Sequence, residues 1–263
     1  MEHIALLSSF SGSSEQRIQA IFHLLADNSD KAIKILSHSL SNDPSPIVRH
    51  EAAYILGEKA TVLSIDPLIQ AIGTDRHKIV VHESLLALAN LGSIAYPESQ
   101  KVIEGQLNNA DADVVDTAEI ALQRLNMKLQ KVEIPTDLKS LLKILDDLGS
   151  KNKEYRIQAS FVLMDNASTE SVDLLISSLE REPSPIVKHE LIFSLGESIH
   201  YKVVPELIKV LQTDKNFFTV HEALLALGTL GDFKAESEIR KFLHHEDPAI
   251  VESAEISLER LTS

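Results

Sequence analysis

Four copies of one dipeptide hold the side chains best suited to chemistry: His50-Glu51, His82-Glu83, His189-Glu190 and His221-Glu222. The two members of each couple lie 32 residues apart, and the couples are offset by 139. The flanking residues repeat as well: Pro44-Ser45-Pro46-Ile47-Val48-Arg49 precedes His50, and Pro183-Ser184-Pro185-Ile186-Val187-Lys188 precedes His189. With 11 His and 23 Glu in 263 residues, about one His-Glu pair is expected by chance, so a single copy would mean little. A fifth pair, His245-Glu246, stands before the turn-like Asp247-Pro248, opposite Asn109-Ala110 in the other half, and is read as coincidence.

Imidazole nitrogen and carboxylate oxygen suit Fe and Mn, and do not exclude Zn. Equivalent positions in consecutive repeats sit on neighbouring helices, whose axes pack about 8–10 Å apart. One His from each can therefore reach a point midway between them. A carboxylate completes a facial two-His-one-carboxylate set with open positions, as in non-haem Fe(II) oxygenases. Each half offers such a set: His50 and His82 with Glu51 or Glu83, and His189 and His221 with Glu190 or Glu222. Spacing does not choose between the two Glu. Two halves facing each other would bring the sets together as a dinuclear centre.

Passive duplication would have left the pair in every repeat. Instead the outer repeats carry Ile18-Gln19, Asp116, Ile157-Gln158 and Glu252 at that place. His3, His23, His38, His77, His200 and His244 lack the symmetry and are read as surface or packing residues.

The elements that must position these groups are helices. Apolar residues recur with helical period from end to end, with breaks every 15 or so residues and no convincing strand. Alignment on the His-Glu pairs gives helical hairpins of roughly 32 residues. Inner helices are expected to start near Ser14, Ser45, Lys78 and Asp113, then near Asn152, Ser184, Asn216 and Pro248. Ser45-Pro46 and Ser184-Pro185 fit an N-cap followed by proline in the first turn. Gly57, Gly92, Gly196 and Gly231 are read as glycine C-caps. The fold expected is all-α, an α-solenoid of eight HEAT-like hairpins in two duplicated arms. The arms are 1–127 and 137–263, joined by a linker over 128–136 that contains Pro135.

Composition narrows the function. With no Cys there is no thiol nucleophile, zinc finger or disulfide framework. The net charge of −14 repels a phosphate backbone and favours a cationic partner or bound cation, so nucleic acid is not expected. Without a signal-peptide pattern or an apolar run of about 18 residues, no membrane is expected and the cytoplasm is the expected compartment. No nucleotide or flavin motif occurs, so an external reductant would be needed.

At the four pairs the chain resembles the deoxyhypusine hydroxylases, HEAT-repeat di-iron monooxygenases with two arms of four hairpins, and the resemblance spans essentially the whole sequence. It implies O2-dependent hydroxylation of the deoxyhypusine side chain of a translation factor. By that resemblance His50, His82 and Glu83 would ligate one Fe2+ ion, and His189, His221 and Glu222 a second. Glu51 and Glu190 would lie beside the centre and hold a cationic protein or small-molecule substrate. The family pattern has a basic residue before the second and fourth pairs, where Val81 and Val220 stand. It has Glu three residues after those pairs, where Leu86 and Leu225 stand, and Leu-Gly-Gln where this chain has Leu56-Gly57-Glu58 and Leu195-Gly196-Glu197. These departures leave the metal ligands in place and bear on the substrate. The alternatives are a HEAT scaffold for a protein partner with a structural metal, and a dinuclear hydrolase on the same ligands.

Overall fold

The computed structural model describes residues 2–149 and 153–262, and among them there is no strand. Each half forms its own unit, Met1–Val132 and Glu133–Ser263. The first unit stacks four hairpins: α1 (Glu2–Ser9) with α2 (Ser14–His23), α3 (Asp30–Asn42) with α4 (Pro46–Lys59), α5 (Ile65–Thr74) with α6 (Lys78–Asn90), and α7 (Glu98–Gly105) with α8 (Ala112–Gln130). The second repeats the plan: α9 (Leu138–Asp146) with α10 (Lys153–Asn166), α11 (Thr169–Arg181) with α12 (Pro185–Glu197), α13 (Val203–Thr213) with α14 (Phe217–Leu230), and a short α15 (Glu236–Ile239) with α16 (Pro248–Thr262). The start expected near Asn152 lies outside the described residues. Helix α8 runs to Gln130 and is capped by Lys131 in the left-handed conformation, so the non-helical connection begins later than the sequence suggested.

Local chemistry sets where the inner helices begin. The Ser45 and Ser184 side chains accept from the Val48 and Val187 amides, and the following prolines occupy the first turn, where no amide proton is needed. Helices α6 and α14 are buried on every side from Ile79 to Ala89 and from Phe218 to Gly228. That is the pattern of a helix sandwiched between neighbours, here α4 and α8, or α12 and α16.

A cation from one hairpin and an acid from the next tie consecutive repeats. Arg17 pairs with Asp43, Arg49 with Asp75, Arg156 with Glu182 and Lys188 with Asp214, each 26 positions on. The acids also accept from the amides of Ser45, His77, Ser184 and Asn216 at the following helix starts. Arg49 and Lys188 immediately precede His50 and His189, so the same rungs anchor the helices that carry these histidines.

Two of the four glycines expected as C-caps are something else. Gly231 ends α14 at φ +67°, and Gly92 follows α6 at φ +56°. Gly57 and Gly196, however, lie inside α4 and α12. A Cβ on Gly57 would stand 2.7 Å from Ala87 Cβ, and one on Gly196 2.8 Å from Ala226 Cβ. Their missing side chain lets adjacent inner helices touch; it does not serve a left-handed cap.

Candidate metal centre

All eight residues of the four pairs are buried and sit on α4 and α6 or on α12 and α14. In the first unit the His50 and His82 rings are nearly parallel, with centroids 6.5 Å apart and planes at 4°. Glu83 brings Oε2 to 3.5 Å from His50 Nε2, while Glu51 Oε1 stands 3.7 Å from His50 Nδ1. Thus the two carboxylates approach opposite nitrogens of one ring. In the second unit the His189 and His221 centroids are 6.1 Å apart and their planes 11°. Glu222 Oε2 lies 3.3 Å from His189 Nε2 and 3.9 Å from His221 Nε2, so one oxygen addresses both rings. Glu190 Oε1 accepts from His189 Nδ1 at 3.1 Å. The duplication therefore preserves geometry as well as residue type.

This concentration of carboxylate shapes the electrostatics. Burial alone would lower the pKa of His189, but hydrogen bonds and charge from Glu190 and Glu222 outweigh it and raise the value to about 10. Without a metal, the two carboxylates therefore favour the protonated form of the His189 ring. Two buried imidazole nitrogens with a carboxylate oxygen between or beside them are the nitrogen and oxygen donors that suit a divalent first-row metal.

The remaining histidines are not part of this arrangement. His3 stacks on His23, and His38 on Phe10, at exposed positions. His77 caps α6, and His200 Nδ1 accepts from the Lys202 amide.

Sequence reasoning overlooked two groups that the structure brings to the rings. His82 Nδ1 is 2.9 Å from Thr117 Oγ1, and His221 Nδ1 is 2.8 Å from Ser253 Oγ. The hint was the duplicated stretch Val115-Asp116-Thr117-Ala118 and Val251-Glu252-Ser253-Ala254, where a hydroxyl survives in both copies. Aromatic contacts also set the units apart. Phe217 stacks on His221 at 5.8 Å and 3°, and Phe218 meets His189 edge-on at 6.1 Å. The first unit has Lys78 and Ile79 at the corresponding places.

Among the described residues no helix is long and apolar enough to cross a membrane. The sequence profile of HEAT repeats matches residues 4–89, 33–123 and 172–259. The chain is similar to the deoxyhypusine hydroxylase of Schizosaccharomyces pombe, 28% identical over 275 residues that take in 93% of this chain and 85% of that protein. It is also similar to the deoxyhypusine hydroxylase of Candida albicans, 27% identical over 277 residues, covering 92% and 85%. The structure of human deoxyhypusine hydroxylase in complex with glycerol superposes with a TM-score of 0.84 over 99% of this chain and 95% of that one, at 23% identity, so the fold is shared.

Proposed function

This chain belongs to the HEAT-repeat family, and on that premise we propose that it is a deoxyhypusine hydroxylase, a di-iron monooxygenase acting in hypusine biosynthesis. The observation that carries the reading is the placement of Glu222 Oε2 toward Nε2 of both His189 and His221, with Glu83 set likewise toward His50. His50, His82 and Glu83 would hold one iron, and His189, His221 and Glu222 the other. Bound there, two ferrous ions would supply two electrons and open coordination positions for O2, the chemistry by which one oxygen atom is inserted into a C–H bond and the other leaves as water, with the external reductant restoring the ferrous state.

The protein's own groups do the rest. Glu51 and Glu190 present negative charge beside the rings, suited to the ammonium of an amine-bearing side chain on a cationic protein substrate. Burial of all eight residues keeps bulk water from their donor atoms and strengthens each charge–charge contact. No redox cofactor motif is present, so reductant comes from outside the chain, and the working compartment is the cytoplasm.

The test is metal analysis joined to product analysis. Protein reconstituted with Fe(II) and given O2, a reductant and a deoxyhypusine-bearing protein should add one oxygen atom to that side chain. His50→Ala should remain folded, lose iron and abolish the product. Iron-loaded protein that leaves the substrate unchanged would overturn the reading, and so would His50→Ala that keeps full iron.

A further inference from the structure

We infer that Thr117 and Ser253 are positioning residues that hold His82 and His221 in the Nδ1–H tautomer, leaving Nε2 as the metal-donor nitrogen. Thr117 Oγ1 lies 2.8 Å from the Asp113 carbonyl, and Ser253 Oγ lies 2.7 Å from the Ala249 carbonyl. A carbonyl only accepts, so each hydroxyl donates its single proton to the backbone one turn earlier. The same oxygen is 2.9 Å from His82 Nδ1, or 2.8 Å from His221 Nδ1. Having spent its proton, the hydroxyl can only accept there, and the ring nitrogen must donate. Nδ1 therefore carries hydrogen, and in the neutral ring Nε2 keeps the lone pair.

Both hydroxyls and both rings are fully buried, so water does not compete for these bonds. Each pairing joins the third hairpin of its unit to the fourth. Only a side chain that donates and accepts from one atom can do this at a back-bonded helical position, which accounts for Thr in one copy and Ser in the other. The fourth hairpin thus contributes to the site with neither His nor a metal-ligating acid. The tautomer follows from the hydrogen bonds alone; its use for metal rests on the proposed function. Partners of this kind typically alter metal affinity about 10–100-fold.

Histidine 15N NMR of the metal-free protein at mildly alkaline pH decides the assignment without activity. His82 and His221 should show protonated Nδ1 and bare Nε2. Thr117→Val should mix the tautomers at His82 only, Ser253→Ala at His221 only, and Thr117→Ser should restore the native pattern. An Nε2–H tautomer or a doubly protonated ring in the unaltered protein, or a pattern indifferent to Thr117→Val, overturns the inference. Anaerobic Fe(II) titration supplies the second readout. Thr117→Val should bind one iron about 10–100-fold more weakly, with Thr117→Ser close to native. Native affinity in a folded Thr117→Val protein overturns the positioning role. If the unaltered chain binds no Fe(II) while the NMR pattern is as expected, the metal reading fails and the tautomer assignment stands.

Discussion

Gly57 lies so close to Ala87 that a Cβ added to it would be 2.7 Å from the alanine Cβ and 2.8 Å from its Cα. The contact brings α4 and α6 together two turns beyond His50 and one turn beyond Glu83. Gly196 and Ala226 repeat it between α12 and α14. Close approach of these helices lets a carboxylate on one reach a ring on the other.

Gly57→Ala therefore sets two effects against each other. Alanine improves helix propensity by about 0.8–1 kcal/mol, whereas overpacking costs about 1–3 kcal/mol. The clash is with backbone as well as side chain, so overpacking should win. Chemical denaturation should show net destabilisation, and iron affinity should fall because α4 and α6 are pushed apart. A stabilised Gly57→Ala protein with native iron binding would show that the contact is slack.

The two acids of a pair should separate by experiment. Glu83→Gln should release one of the two irons, measured by elemental analysis, because its oxygen faces the Nε2 side of His50. Glu51→Gln should retain iron and raise KM for the amine substrate about 10–100-fold, the worth of a charge-assisted hydrogen bond. The opposite pattern would exchange their roles.

His189 gives the metal-free protein a pH signature. Its folded pKa is raised to about 10, above the unfolded value of 6.5. A raised value means that the folded state binds the proton more tightly. The resulting stabilisation is complete below pH 6.5 and is lost as pH rises toward 10. Urea unfolding across that window should show the decline, and His189→Gln should flatten it. If His189 is a ligand as proposed, iron would displace this proton, and Fe(II) affinity should increase with pH over the same range.

Arg156 tests the rungs between repeats. It makes a bidentate contact with Glu182 at 2.7 and 2.9 Å, both side chains being about 1% exposed, and also donates to the Asp147 and Gly149 carbonyls. Arg156→Met leaves a buried carboxylate uncompensated and should cost about 3–5 kcal/mol in equilibrium unfolding. Lys209→Met removes the exposed pair with Glu180 and should leave stability unchanged within error. Equal effects would mean that burial is not what makes the Arg156 pair matter.

The repeat and the pairs were legible in the linear order of residues because helical period, Ser-Pro starts and duplicated dipeptides are local signals. They sufficed for the all-α solenoid, for the N-caps at Ser45 and Ser184, and for expecting His50 beside His82 and His189 beside His221 on neighbouring helices. Gly57 shows where local signals stop. Its place near a helix end looks like a cap, but its partner Ala87 lies on another hairpin. Thr117 and Ser253 were hidden for the same reason: a hydroxyl in a helix bears no mark of the ring it will meet. Which carboxylate oxygen faces which imidazole nitrogen was likewise left to tertiary structure. Adjacent residues on a helix diverge by about 100°, so that choice depends on the rotation of each helix against its neighbour, set by contacts such as Gly57 with Ala87 and Arg49 with Asp75.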